Sequence, residues 1–164
     1  GNDKVEVALT LTNNPNSGVI KRVKKMKKPC IVFSKHELED KSLLQKIISI
    51  NPDLIILAGF LLKIPANFVN AFPKKIINIH PALLPKFGGR GMYGNRVHQS
   101  VKDSSEEKTG ITIHFVNEFF DQGTIIFQAS VLIEDNDTVE DIANKVHKLE
   151  YAHYPRIIDQ LLFS

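Results

Sequence analysis

At 164 residues, 43% hydrophobic and 24% charged, the chain is long enough to bury a core and has the make-up of a globular protein. Its net charge of +3 suits a small anionic substrate and gives no footing for a nucleic-acid partner. The one cysteine, Cys30, excludes an internal disulfide or a cysteine metal site and fits a reducing, cytoplasmic setting, while no apolar run reaches the ~18 residues of a membrane helix, so no membrane partner is expected.

Strands and helices alternate along the chain. Val5–Thr12 (VEVALTLT) alternates and predicts a strand, followed by a loop over Asn13–Gly18. Val19–Lys28 predicts a short basic helix whose six basic residues in the eight from Lys21 form a solvated face. Cys30–Ser34 is a short strand, and Leu43–Ile50 a helix stopped by Asn51-Pro52. Leu54–Gly59 is a continuous apolar run, the mark of a strand buried on both faces. A helix near Ala66–Ala71 leads to a strand over Lys75–His80.

Phe87–Gly94 holds four of the nine glycines and predicts a mobile loop. A helix near Asn95–Lys102 follows. Gly110–Val116 and Gly123–Ile133 predict an antiparallel strand pair joined through Asn117–Gln122. Thr138–Phe163 is helical, with Thr138 and Asp141 placed as a capping box and Val139, Ile142, Val146 and Leu149 as its apolar stripe. Pro155 is expected to kink or break this helix. The whole predicts an α/β fold in one domain, residues 1–164: an open, mostly parallel twisted sheet flanked by helices, with an antiparallel extension at its C-terminal end.

In such sheets ligands sit at the carboxyl ends of the strands. On the strand ending at His80, Asn78 and His80 share one face and Ile77 and Ile79 the other. A neutral imidazole there can move a proton, and an amide can donate to an oxygen gaining charge. Asp121, in the turn FFDQG, could orient the imidazole, and the set suits acyl transfer to a nucleophile carried by the substrate. No G-x-S-x-G motif competes. The same residues also fit a satisfied, half-exposed strand end and an ordinary Asp-containing turn. His114 alternates within its strand as a packed structural residue. His36, His98, His147 and His153 show no metal-ligand spacing, and no metal is expected.

Three segments carry a resemblance: NIHPALLPKFGG, GITIHFVNEFFDQG and the closing HKLEYAHYP. They resemble the formyltransferases that use 10-formyltetrahydrofolate, and within them the branch that formylates glycinamide ribonucleotide in purine biosynthesis. The resemblance runs from about Val5 to the end of the chain. It implies the formyltransferase fold, with 10-formyltetrahydrofolate as cosubstrate, and the family's Asn, His and Asp fall on Asn78, His80 and Asp121. Asn78 would stabilise the oxyanion. His80 would assist proton transfer and polarise the formyl group, and Asp121 would hold His80. The folate would lie along GFLLKI (Leu61, Leu62 and Ile64) and along the Val116–Asp121 loop, with Val116, Asn117 and Glu118, and the ribonucleotide would meet Pro81 and Glu150.

The stretch GGRGMYGNRVHQ is longer than the usual family loop. The family begins with a strand, a Gly-rich phosphate loop and a helix, and this chain matches from the second strand onward. The expectation is therefore a domain lacking its first strand–loop–helix unit. Formyltetrahydrofolate deformylases share the trio but usually carry a second His where Pro81 stands. Methionyl-tRNA formyltransferases need a further tRNA-binding domain, and a non-catalytic folate- or nucleotide-binding module would not need the trio. The oligomeric state is left open.

Overall fold

The computed structural model describes residues 4–163. They form two compact units, one ending at Pro52 and the other beginning at Asp53.

In the first unit, β1 (Thr10–Thr12) and β2 (Cys30–Val32) pair in parallel, with Thr10 opposite Cys30. Helix α1 (Gly18–Lys25) connects them; the Ser17 hydroxyl accepts the Val19 N–H at its start. It ends earlier than the basic run suggested. Lys27 turns left-handed at φ 53, and the Lys28 and Lys27 N–H groups bond back to the carbonyls of Val23 and Lys24, closing the last turn in a Schellman arrangement. The strand expected over Val5–Thr12 is confined to its last three residues. Ladder bonding to β2 begins at Thr10, and Val5 and Val7 are exposed, so the alternation before it has neither a paired backbone nor a covered face. Helix α2 (Lys35–Glu39) was not foreseen; it rests on a capping box between Ser34 and Glu37. Helix α3 (Lys41–Ile50) starts at the Asp40 cap and stops at Asn51, which is left-handed.

The second unit is built on one sheet of four strands in the order β3-β4-β5-β6. These are β3 (Ile55–Leu57), β4 (Ile76–His80), β5 (Lys108–Phe115) and β6 (Ile125–Leu132). β3 and β4 run parallel, and β5 and β6 add the expected antiparallel extension. Strand β3 is not buried on both faces as its apolar run implied: it lies at the end of this sheet and Ile56 is 44% exposed. Helices α4 (Ala66–Ala71) and α5 (Asn95–Asp103) stand on either side of β4 in the chain.

Helix α6 (Val139–Phe163) opens with the Thr138–Asp141 box, in which each side chain serves the other's backbone N–H. It packs on β4 and β5 through Val146, Tyr154 and Ile157 against Ile77, Ile79, Ile111 and Ile113. The helix runs unbroken through Pro155. Pro155 removes the hydrogen bond to the Tyr151 carbonyl, but both residues lie on the exposed side of the helix, where water can replace it.

Alternation thus divides the sheet. Its isoleucine face is covered by α6, and its other face carries Asn78 and His80 on β4 opposite His114 and Thr112 on β5. A β-bulge at Ile113/His114 leaves Ile126 as an extra residue on β6, so that Phe127 pairs with Ile113 and Ile125 with His114.

Candidate active site

The polar face of β4 and β5 is sealed at one end by the segment that follows β4. Thr112 Oγ1 donates to the Ala82 carbonyl at 2.7 Å and accepts the Leu84 N–H at 3.0 Å. Gln128 Nε2 donates to the Leu84 carbonyl and to Thr112 Oγ1. His80, at the end of β4, is 3% exposed, and its Nε2 lies 2.8 Å from the Phe87 carbonyl. Phe87–Gly94, expected to be mobile, is pinned to the site by this bond and by the Gly89 N–H, which donates to Asp121 Oδ2 at 2.9 Å.

Asp121 stands at φ 56 in the turn between β5 and β6. That turn is closed by the Asn117 amide, which donates to the Gln122 carbonyl and accepts the Phe119 N–H. Gly123 is required here, since a Cβ would fall 1.6 Å from the Phe115 carbonyl oxygen. The Asp121 carboxylate lies between two imidazoles: Oδ2 is 3.5 Å from His80 Nδ1 and Oδ1 is 3.6 Å from His114 Nε2. Burial pushes Asp121 up, but its hydrogen-bonding and charged surroundings, the Gly89 N–H among them, outweigh it and hold the carboxyl below the ordinary carboxylate range. Burial likewise lowers His80, against the pull of Asp121 and the Phe87 carbonyl. At neutral pH the pair is a carboxylate beside a neutral imidazole.

A cleft of about 390 Å³, open to solvent, runs along this face. Its lining brings together Asn78 and Asp121 with Leu62, Ile64, Val116 and Asn117. His80 lies behind Asp121 and is not part of the lining; nor are Leu61, Pro81, Glu118 and Glu150. Leu61 is 54% exposed, and Glu118 is exposed as well. Glu150 is half-buried on α6, where burial raises its pKa. It sits one turn before Tyr154, whose hydroxyl donates to the Leu57 carbonyl at 2.8 Å, at the carboxyl end of β3.

Leu57, which the sequence reading did not single out, lines the same cleft, as do Phe60 and Lys63 of the GFLLKI stretch, Phe119 and Phe120 of the Val116–Asp121 loop, and His114, which the sequence suggested was a packed structural residue. His114 Nε2 is 3.2 Å from Asn78 Nδ2. The cleft thus presents an amide, a carboxylate and the His114 imidazole on an otherwise largely apolar wall, with the His80 imidazole behind the carboxylate, a set able to steady an oxyanion and take up a proton.

Comparison with known proteins shows the family. Residues 1–158 match the formyl transferase family. The chain is 40% identical over 159 residues to the chloroplastic phosphoribosylglycinamide formyltransferase of Arabidopsis thaliana, covering 93% of this chain and 54% of that protein. It is 36% identical over 160 residues to the phosphoribosylglycinamide formyltransferase of Bacillus subtilis, covering 94% and 80%. The crystal structure of the phosphoribosylglycinamide formyltransferase from Bacillus halodurans superposes with a TM-score of 0.86 at 32% identity, covering 97% of this chain and 82% of that one. The chain spans about half the length of the plant relatives. With a match across nearly all of its length, and with the amide, imidazoles and carboxylate gathered at the ends of β4 and β5, the chain belongs to the formyl transferase family.

Proposed function

We propose that this protein transfers a formyl group from 10-formyltetrahydrofolate to the amine of glycinamide ribonucleotide. The observation that carries the reading is the convergence of Asn78, His114 and Asp121 on one cleft, with His80 directly behind Asp121. The names of the relatives supply the acceptor.

The amine nitrogen attacks the formyl carbon and a C–N bond forms. The formyl oxygen takes on negative charge, which an N–H of Asn78 stabilises. Asp121, ionised, receives the proton that the amine sheds, directly or through water, and the lone pair on Nδ1 of His80 can accept that proton from behind. The tetrahedral intermediate then breaks its bond to the folate nitrogen, which leaves with a proton. The products are the formamide and tetrahydrofolate, with no change in oxidation state.

Leu62, Ile64, Val116 and Asn117, with Leu57, Phe60, Phe119 and Phe120, offer an apolar slot for the flat folate ring. Leu61 and Glu118 stand at its margin. Pro81, next to His80, and Glu150 are assigned to the ribonucleotide side. Support for Glu150 comes from Tyr154, which ties that turn of α6 to the end of β3. Because the family match spans both compact units, we treat residues 1–164 as one catalytic domain acting on small molecules. The single cysteine, Cys30, suits the cytoplasm, whereas the plant relatives are named as chloroplastic. Among the described residues no helix is long and apolar enough to cross a membrane.

The test is to mix the protein with 10-formyltetrahydrofolate, with and without glycinamide ribonucleotide, and follow tetrahydrofolate. Product that depends on the ribonucleotide is the expected result. Product without it would make the protein a deformylase, and no product in either mixture would overturn the reading.

A further inference from the structure

We propose that His114 is a positioning residue that fixes the orientation of the Asn78 amide, keeping its donor nitrogen at the Asp121 end of the cleft. The inference rests on the formyl-transfer reading and goes beyond it by giving His114 a task.

The argument is a chain of proton assignments. His114 stands directly opposite Asn78 across the β4–β5 ladder, and its side chain is 3% exposed. Its Nδ1 lies 2.8 Å from the Phe115 carbonyl oxygen. A carbonyl only accepts, so Nδ1 carries the proton. In the neutral ring Nε2 then has a lone pair and no hydrogen. That lone pair is 3.2 Å from an amide group of Asn78, and only the NH₂ end of the amide can meet it.

The consequence falls on the cleft. Nε2 of His114 is also 3.6 Å from Asp121 Oδ1, so the Asn78 nitrogen is held on the side where the carboxylate stands. An amide nitrogen has two N–H groups. One is satisfied by His114, and the second remains for an oxygen bound in the cleft that Asn78 lines. Were Nε2 to carry a hydrogen, the amide oxygen would turn toward it. An acceptor would then replace the donor beside Asp121.

Two measurements on the full chain test this. Long-range ¹⁵N–¹H spectra of histidine-labelled protein at neutral pH, without substrates, should show His114 as the Nδ1–H tautomer. An Nε2–H tautomer would overturn the role of His114 whatever the activity, whereas wild-type protein that transfers no formyl group would overturn the functional reading instead.

The second is kinetic. His114→Leu should melt cooperatively yet lose kcat by roughly 100-fold, with both KM values changed less than about threefold, as when one oxyanion donor is lost. His114→Gln, whose Oε1 can accept from the Asn78 nitrogen, should recover at least about tenfold of that loss. In the His114→Leu background, Asn78→Ala should cost far less than in wild type. A His114→Leu enzyme with near wild-type kcat, or fully additive losses, would overturn the proposal.

Discussion

Asp121 meets His80 at 3.5 Å, Oδ2 to Nδ1, with only 11% and 4% of the two side chains exposed. The imidazole is turned away from the cleft, because its other nitrogen is occupied by the Phe87 carbonyl. The carboxylate is therefore the group that faces a substrate, and the histidine is its reserve.

Asp121→Asn keeps the shape of the turn and removes the base. Its kcat should fall by roughly 10²–10⁴, with KM for both substrates little changed. Steady-state kinetics beside a melting curve decide it: a well-folded variant with near wild-type kcat would exclude Asp121 from proton transfer.

Acid should weaken both rate and fold. Burial lowers His80, and it lowers His98 as well, where the neighbouring His147 and His80 act in the same sense. A histidine with a lowered native pKa binds fewer protons when folded than when unfolded. Stability is then fully present above the ordinary value of about 6.5 and drains away as pH falls through it toward the native value. Denaturant unfolding at about pH 5.5 should show less stability than at about pH 7.5, and His98→Leu, which removes a buried Nδ1 without a partner, should narrow the gap. The rate should rise with pH and level off with a midpoint below about 6.5; a midpoint well above 7 would contradict a buried neutral His80.

Gly88→Ala probes the packing behind the carboxylate. An added Cβ would stand 2.5 Å from a methyl of Leu84 and 3.1 Å from Cβ of Asp121. The leucine tip can swing away, but Asp121 can yield only by moving its carboxylate. We expect kcat to drop by about tenfold or more, since misplacement by about 1 Å can cost 100-fold. The loss should exceed any fall in melting temperature, and a variant equal to wild type in kcat would show the contact to be slack.

Tyr154→Phe removes a bond that ties α6 to the end of β3, 97 residues away in sequence. Burial and the nearby Glu150 raise the phenol far above its ordinary range, so it donates to the Leu57 carbonyl at any working pH. Leaving that carbonyl unpaired should cost about 1–3 kcal/mol by chemical denaturation. Because Leu57 lines the cleft, KM for the folate should rise with kcat nearly unchanged. An unaltered KM would make the bond purely structural.

Much of the site could be read from alternation alone. Placing Asn78 and His80 together needs only the period of a strand, and Ala66–Ala71 and the Thr138 box follow from local signals. His114 could not be found that way. Its partner Asn78 lies 36 residues earlier, and the register joining them is set by pairing geometry that no local pattern contains. The same limit explains Val5–Thr12, where alternation predicted a strand without showing what would pair with it. Ser34 and Glu37 carry a legible capping signal, but the helix they open has only five residues, too few to show an apolar period.

The extra residue at Ile126 sets two alternation phases along β6. From Phe127 onward the odd-numbered positions Phe127 and Ala129 turn to the α6 side, and Ile126 joins them there, while Ile125 falls opposite His114. The stretch from Asn117 to Ile125 is thereby out of step with the part of the strand that packs the core. Substitutions on the Asp121 side of the bulge can thus accumulate without disturbing the α6 side, and the turn that handles substrate can diversify while the helix-covered sheet stays constant. Deleting Ile126 would bring the two phases back into step, drawing the Asp121 turn one residue closer to the core and coupling the fate of the site to that of the fold.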